Sequence, residues 1–279
     1  YLRSQRPLEL LESIDSSALI DDTPISDDSS MSQSSEPSHT KEVVNTAPVV
    51  KDAYEMAESV DINSKLPSSL YDSLSSSSWK DRKEALESLL PVIRVPKISD
   101  NSRYGELVDA ICKRVCDVNV LVVILAANCL EALANGMRSG FGPYRSSAIA
   151  ALLEKAKEKK QNVVDAIRSS LDSLRFSISS INENFLEELT SFLTHKNPSV
   201  RSETLLWISR LMQSAHQSPN KKDCKSIVDS VIPAMDDGTT EVRESAAICL
   251  ACIHKFLGEA GSSPLFEKLD KIKLNKIKE

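Results

Sequence analysis

A short polar turn recurs along this 279-residue chain. The two clearest copies are KNPSVR at residues 196–201 and DGTTEVR at residues 237–243, and weaker copies lie at residues 117–120 and 159–163. Each copy joins two apolar helical segments and contains a valine that opens the second segment. A turn repeated at near-constant spacing predicts a solenoid of helix pairs, whose equivalent turns align along one edge. We therefore look for a binding site along that edge.

The spacing of the turns defines the type of solenoid. The opening valines are Val120, Val163, Val200 and Val242, separated by 43, 37 and 42 residues. This period is typical of HEAT repeats. Alternating β-branched runs bounded by hairpin turns are missing from the sequence, so strands are not expected. We predict an all-α HEAT-repeat solenoid of about six helix pairs, the last of them partial, with helices at residues 66–74, 79–93, 103–116, 119–137, 144–157, 162–175, 184–194, 198–215, 222–235 and 240–257 and a further start near residue 263.

The N-terminal part of the chain has a different composition. Residues 1–56 are acidic and Ser-rich, and we predict a disordered linker there, with the folded domain at residues 57–279. Residues 1–65 carry thirteen acidic and five basic side chains, whereas the rest carries 27 and 29. A nearly neutral body lacks the clustered basic surface that nucleic acid requires, so no nucleic acid is expected as a partner.

The apolar segments also limit where the protein works. No run of about 18 apolar residues is present, so we expect no membrane-spanning helix and no membrane partner. No basic-then-apolar signal segment follows Tyr1, and we interpret the chain as part of a larger intracellular protein. The six cysteines lie mostly inside apolar helical runs, which indicates reduced core thiols rather than a disulfide framework.

The helical segments carry apolar stripes at three- and four-residue spacing, which predict the core. Trp207 lies within such a segment and is expected in the core. The stripe predicted for the second helix of the second pair consists of Leu121, Ile124, Leu125, Cys129, Leu133 and Ala134.

Few residues have the pattern of a chemical site. Cys249 and Cys252 form the only CxxC pair, but no second pair or histidine pair completes a zinc site, so core packing is the simpler interpretation. The sequence contains no nucleophile elbow, HExxH motif or glycine-rich phosphate loop. We therefore expect no enzyme, no cofactor and no metal.

Trp79 stands apart from the other aromatic residues. It follows four serines and opens a helix whose next residues are hydrophilic. Two interpretations remain open. The indole could pack on Tyr71 or Leu74 as a local staple, or it could be an exposed anchor on the turn edge, where an interface tryptophan can contribute about 2 kcal/mol or more.

The other turns are basic. Lys157, Lys159 and Lys160 precede Val163, and Lys196 precedes Val200. Each lysine alone is typical of a solvated surface, but several on one edge would form a basic strip suited to an acidic protein. Arg201 and Arg243 follow their valines at the same offset, and this recurrence also fits a structural bridge to a neighbouring repeat.

Together these residues resemble a known family. The segments VDINSKLP at residues 60–67, WKDRKEAL at residues 79–86, DVNV at residues 117–120, LEKAKEKK at residues 153–160 and KNPSV at residues 196–200 are similar to a TOG domain of the ch-TOG/Mini spindles family of microtubule polymerases. The similarity covers about residues 57–270. The lead-in before Trp79 looks most like the second TOG domain of such an array, with the acidic arm as the linker from the first.

The resemblance implies a function and a partner. TOG domains bind the free, curved αβ-tubulin heterodimer through their intra-repeat turns. On matching positions, Trp79 and Lys80 with Val118 and Asn119 would meet β-tubulin, Lys159 and Lys160 would lie near the middle, and Lys196 and Arg243 would meet α-tubulin. The four serines before Trp79, and Gln161 where the family often has proline, depart from the family pattern.

The resemblance also implies a cellular setting, and it leaves alternatives. Neighbouring TOG domains of a longer chain would be further partners, and the location would be the cytoplasm and cytoskeleton, at microtubule plus ends, the spindle, its poles and the kinetochore. The alternatives are a CLASP-type TOG domain that stabilises microtubules and a generic HEAT adaptor that binds a peptide in its concave groove.

Overall fold

The computed structural model describes residues 52–99, 103–214 and 219–278. Most of the predicted N-terminal linker lies outside these ranges. Within them the chain forms twelve α-helices: α1 Ala53–Met56, α2 Leu70–Ser75, α3 Trp79–Ile93, α4 Gly105–Val115, α5 Val120–Met137, α6 Arg145–Lys155, α7 Gln161–Ser173, α8 Glu183–Leu193, α9 Pro198–Gln213, α10 Lys221–Val231, α11 Thr240–Ser262 and α12 Lys271–Lys278.

The helices from α2 to α11 form five antiparallel pairs, and the pairs stack as repeats 1 to 5. The second helices α3, α5 and α7 pack in succession, as do α9 and α11. A sixth, partial repeat begins after Gly258, whose φ of 69° interrupts α11, and it ends with α12. Because a single pair cannot bury its own apolar face, this stacking creates one continuous core. The predicted all-α HEAT solenoid is confirmed.

The most apolar helix lies at the centre of the stack. By length and composition alone, the segment containing α5 could cross a membrane. Most of its side chains are instead buried against α3, α4 and α7. We therefore interpret α5 as the core helix of a helical stack.

One part of the predicted core in α5 is wrong. Val122, rather than Val120, occupies the buried position that Val163, Val200 and Val242 hold in the later repeats. Leu121 was assigned to the core stripe, but its side chain lies off the buried face of α5 and is exposed. In a run of eight apolar residues, periodicity alone does not define which side faces inward.

The chain before the first repeat also contacts the stack. Residues 52–56 were assigned to the linker, yet Tyr54 donates a hydrogen bond to the carbonyl of Met137 (3.4 Å). The guanidinium of Arg138 lies 4.1 Å from the Tyr54 ring centre and forms an ion pair with Asp52. Ordered contacts of the domain therefore begin upstream of the predicted boundary.

A short bridge closes the same end of the stack. Val60 pairs with Ile98, and the amide of Ile98 donates to the carbonyl of Gly136 in α5 (2.7 Å). A Cβ at residue 136 would lie 2.8 Å from the Ile98 side chain, so glycine permits this close approach. This end therefore lies at the C-terminus of α5, opposite the turn that opens the helix.

Candidate functional site

The five turns share one backbone conformation. Each second helix begins after an extended N-cap residue with ψ between 120° and 127°, namely Ser78, Asn119, Lys160, Asn197 and Thr239. In four turns the backbone N–H of the N-cap donates to the side chain two residues earlier: Ser76 Oγ (3.1 Å), Asp117 Oδ1 (2.9 Å), His195 Nδ1 (3.1 Å) and Asp237 Oδ1 (2.8 Å). The predicted edge is thus a row of similarly constructed turns. We call residues 76–82 and 117–123 the front turns, and residues 158–164, 195–201 and 237–243 the rear turns.

An arginine four residues after the N-cap folds back onto its own turn in three repeats. Arg82 Nη1 donates to the carbonyl of Ser76 (2.8 Å), Arg201 Nη1 to that of His195 (2.6 Å), and Arg243 Nη1 to that of Asp237 (2.7 Å). The arginines therefore have a structural role that the sequence had left open.

Two of these arginines also join neighbouring repeats. Arg82 Nε and Nη2 donate to the two carboxylate oxygens of Asp117 (2.8 and 3.0 Å), and Arg201 does the same to Asp237 (2.8 Å each). Such paired bonds fix distance and orientation together. We call these pairs the turn clamps. Val123 and Val164 hold the arginine position in repeats 2 and 3, so the clamps occur at the 1–2 and 4–5 junctions.

The clamps set the charge state of their carboxylates. Burial alone would raise the pKa of Asp117, but the hydrogen bonds from Arg82 and the Asn119 amide outweigh it and hold the pKa below its ordinary value of 3.8. The Arg201 hydrogen bond similarly lowers the pKa of Asp237. Both aspartates are therefore ionised at neutral pH and belong to the frame of the edge.

The front turns present apolar side chains to solvent. Val118 is 97% exposed, Leu121 is 48% exposed and Trp79 is 40% exposed. Trp79 begins α3, and Val118 and Leu121 lie on either side of the start of α5. The Arg82–Asp117 clamp joins these two neighbouring turns. The structure therefore favours an exposed Trp79 over a fully packed staple. Leu121 is a further candidate on this surface that the sequence did not indicate, because its apolar neighbours made it resemble core.

The lysines of the turn edge are of two kinds. Lys155 Nζ donates to the carbonyl of Asp117 (3.0 Å) and Lys157 pairs with Glu154 (2.5 Å). By contrast, within the part of the chain that the structure describes, no side-chain hydrogen bond or ion pair is found for a second group of exposed lysines: Lys80, Lys159, Lys160 and Lys196. Most of this second group lies on the rear turns, so the rear carries accessible charge.

Two predicted site residues hold the turns as well. The Asn119 side chain caps α5 by accepting from the amide of Leu121 (2.9 Å). Arg243 is partly buried, and its Nη2 donates to Thr240 Oγ1 (2.9 Å) where Arg82 and Arg201 reach a carboxylate. Arg243 therefore ends the row of arginines with no carboxylate partner among the described residues.

The remaining chemistry-bearing residues belong to the core. Cys249 is fully buried and burial raises its thiol pKa, while burial raises the pKa of Cys112 to about 12. Low thiolate content makes these cysteines poor nucleophiles and metal ligands. Across the described ranges no group of three or more metal-ligating side chains comes together. Trp207 is buried as predicted.

Fold and site together define a class, a HEAT-type solenoid whose equivalent turns align along one edge. A family model described as "XMAP215/Dis1/CLASP, TOG domain" matches residues 64–279, and the chain belongs to this family. Relatives include spindle pole body component alp14 of Schizosaccharomyces pombe, 37% identical over 228 residues, and protein mini spindles of Drosophila melanogaster, 38% identical over 230 residues. These matches cover 81% and 82% of this chain. They cover 28% and 11% of the two relatives, so the chain corresponds to a small part of each.

Solved structures show the same fold. One, described as the structural basis of microtubule plus end tracking by XMAP215, CLIP-170 and EB1, is 38% identical with a TM-score of 0.73 and covers 80% of this chain and 93% of that one. Another, described as the structural basis of tubulin recruitment and assembly by microtubule polymerases with TOG domain arrays, is 32% identical with a TM-score of 0.71 and covers 81% and 48%.

Proposed function

We propose that this chain binds the free, curved αβ-tubulin heterodimer through its turn edge, as part of a microtubule polymerase that promotes plus-end growth. The observation that carries the proposal is the apolar group on the front turns, with Val118 97% exposed beside Trp79. Support comes from the 32% identical structure that is described by tubulin recruitment. The domain acts by binding and not as an enzyme.

The two parts of the edge make different contributions. Trp79, Val118 and Leu121 supply the contact area that holds β-tubulin, since buried aromatic and aliphatic anchors dominate interface energies. Lys159, Lys160 and Lys196 speed encounter with acidic tubulin and orient it, with the rear turns towards α-tubulin. Arg243 adds a guanidinium that can donate hydrogen bonds to a carboxylate of the partner.

A rigid edge also explains selection of one tubulin shape. The clamps hold neighbouring turns at fixed spacing, so the edge fits one curvature of the dimer better than another. A domain with different affinities for two states favours one of them and releases from the other. The domain would therefore hold curved tubulin and release it when the lattice straightens.

The cellular setting follows from the same proposal. Relatives are named as components of the spindle pole body and the centrosome, which supports a place on the cytoskeleton and the spindle. Plus ends and kinetochores, neighbouring TOG domains as partners, and the position as second domain of an array all belong to the proposal. A CLASP-type stabiliser is the alternative within the family, and measuring microtubule growth rate against catastrophe frequency separates the two.

Gel filtration with unpolymerised tubulin tests the binding. We expect a 1:1 complex, no binding to the straight microtubule wall, and at least about a tenfold weaker complex for Trp79→Ala, roughly 1.4 kcal/mol. The fold should persist because the indole is half exposed. If Trp79→Ala co-elutes with tubulin like the unmutated chain, the anchor role is wrong. If binding is lost only on changing residues of the concave groove, the adaptor interpretation replaces ours.

A further inference from the structure

The second helices are joined in two different ways along the stack. Between α9 and α11, small buried residues such as Ala246 and Ala247 allow close packing, and a turn clamp spans the junction. The α7–α9 junction has no clamp, because Val164 replaces the arginine, and these two helices pack less closely. Repeats 3 and 4 must therefore be held in register by other contacts.

Between the two second helices, those contacts are charged and centre on Glu203 of α9. Its carboxylate is nearly buried and accepts from Arg168 Nε of α7 (2.8 Å) and from Arg210 Nη2 of its own helix (2.9 Å). Arg210 Nε donates in turn to Asp172 Oδ1 of α7 (2.8 Å). The network thus crosses from one helix to the other at two levels.

A third bond lies between these two levels. Trp207 Nε1, fully buried in α9, donates to the carbonyl of Leu171 in α7 (3.0 Å). A buried carboxylate without its arginines is costly, and a buried indole N–H needs an acceptor. Sliding α7 along α9 would break all three connections together, so one register is strongly favoured.

The position of this junction determines what it controls. The front turns and the turn of repeat 3 lie on one side of it, and the turns of repeats 4 and 5 lie on the other. The clamps fix turn spacing within repeats 1–2 and within repeats 4–5, and neither clamp spans the 3–4 junction. The contacts between α7 and α9 therefore set the offset between Trp79 and Lys196, together with the Arg145–Glu188 ion pair between α6 and α8 (2.9 Å) and the contact of His195 Nε2 with Glu154 (3.3 Å).

We propose that Glu203 is a positioning residue for partner binding, which holds the turns of repeats 4 and 5 in register with the front turns so that both meet one tubulin dimer. This inference rests on the proposed function. Glu203 lies seven residues after Lys196 and forms its hydrogen bonds with Arg168 and Arg210, not with an exposed site residue. It acts through the relation between α7 and α9.

Double mutants test this role: the effects of Trp79→Ala and Lys196→Ala on tubulin binding are measured in the parent chain and again in the Glu203→Gln variant. In the parent chain, Trp79→Ala should weaken tubulin binding at least about tenfold and Lys196→Ala roughly fivefold. In a Glu203→Gln background, Trp79→Ala should cost the same factor because the front turns are intact. Lys196→Ala should then cost less than about twofold, because the turns of repeats 4 and 5 no longer meet the dimer in register.

Ser202→Ala provides the matched control. It removes a buried polar bond to Ser245 (2.7 Å) at the 4–5 junction, one residue from Glu203, and should leave both factors unchanged. If Glu203→Gln fails to fold by circular dichroism, Asp172→Asn breaks a more exposed bond of the same network and should show the same selective loss more weakly. If Lys196→Ala weakens tubulin binding by the same factor in all backgrounds, the positioning role is wrong. A parent chain insensitive to Trp79→Ala would instead overturn the proposed function.

Discussion

The front turns and the rear turns have the same frame but present different chemistry. In both, an extended N-cap precedes the second helix and a turn clamp joins neighbouring repeats through Asp117 or Asp237. The front exposes Val118 and Leu121, whereas the rear exposes lysines. The inward positions of a turn are thus fixed by the fold, and the outward positions are free to be used for binding.

This difference predicts different kinetics for the two halves. Desolvated apolar contacts mainly slow dissociation and depend little on salt, whereas charges at the rim mainly speed association and are screened by salt. Mutations on the front should therefore change the dissociation rate. Mutations on the rear should change the association rate, and only at low ionic strength.

The largest effect is expected at Val118. We expect Val118→Asp to weaken tubulin binding by more than about tenfold, roughly 1.4 kcal/mol, because a charge replaces an apolar contact and must be desolvated. The effect should appear in the dissociation rate at every salt concentration, and stopped-flow or interferometry would measure it. Thermal stability should not change, because the side chain is 97% exposed.

Ile272 offers a matched control for that substitution. It is 82% exposed on α12, so Ile272→Asp makes the same change of chemistry away from the turn edge. Unchanged binding in this variant would show that the Val118 effect belongs to the edge. Equal losses in both variants would contradict a special role for the front turns.

A smaller effect is expected from the rear lysines. Replacing both Lys159 and Lys160 by alanine should lower the association rate about three- to fivefold at low salt, and the loss should nearly vanish in 0.5 M salt. Lys221 and Lys222 are a second adjacent exposed pair, at the start of α10 and thus away from the turns, and their double alanine variant is the control. A salt-independent loss at residues 159 and 160 would mean that these side chains act by packing.

The sequence predicted the frame better than the surface. The repeat period, the all-helical fold class and the limits of α3 followed from the apolar pattern, because each HEAT helix buries one face. The family resemblance located Trp79 and Val118 on turns. Buried Trp207 was also predicted, since its neighbours on both sides are apolar.

Two features were beyond sequence reasoning for physical reasons. Leu121 lies in a uniformly apolar run, where only the packing of α4 and α7 around α5 determines which side chains remain outside. The network at Glu203 joins residues more than thirty positions apart, and a glutamate in a helix is usually solvated. Recurrence of arginine after valine did hint at the clamps, but only the distances distinguish Arg201, which reaches a carboxylate, from Arg243, which does not.

The smallest effect on binding is expected from the turn clamps. Asp117 in the front turns and Asp237 in the rear turns should respond to pH in the same way. Because Asp117 has a folded-state pKa below its ordinary 3.8, its stabilisation is present above that pH and is lost as the pH falls through the folded value. Asp237 behaves in the same direction. We therefore expect the melting temperature of the parent chain to fall below about pH 4.

Replacing Asp117 or Asp237 by asparagine removes the titrating carboxylate. Asp117→Asn and Asp237→Asn should each lower stability at pH 7 by about 1–3 kcal/mol, through loss of the charged arginine bonds. Each should also flatten the acid decline of the melting temperature, while binding at pH 7 changes less than about twofold if the turns keep their shape. A clear difference between the two variants would show that the front and rear frames are not equivalent. The front and rear turns would then differ in the stability that their clamps contribute as well as in their exposed side chains.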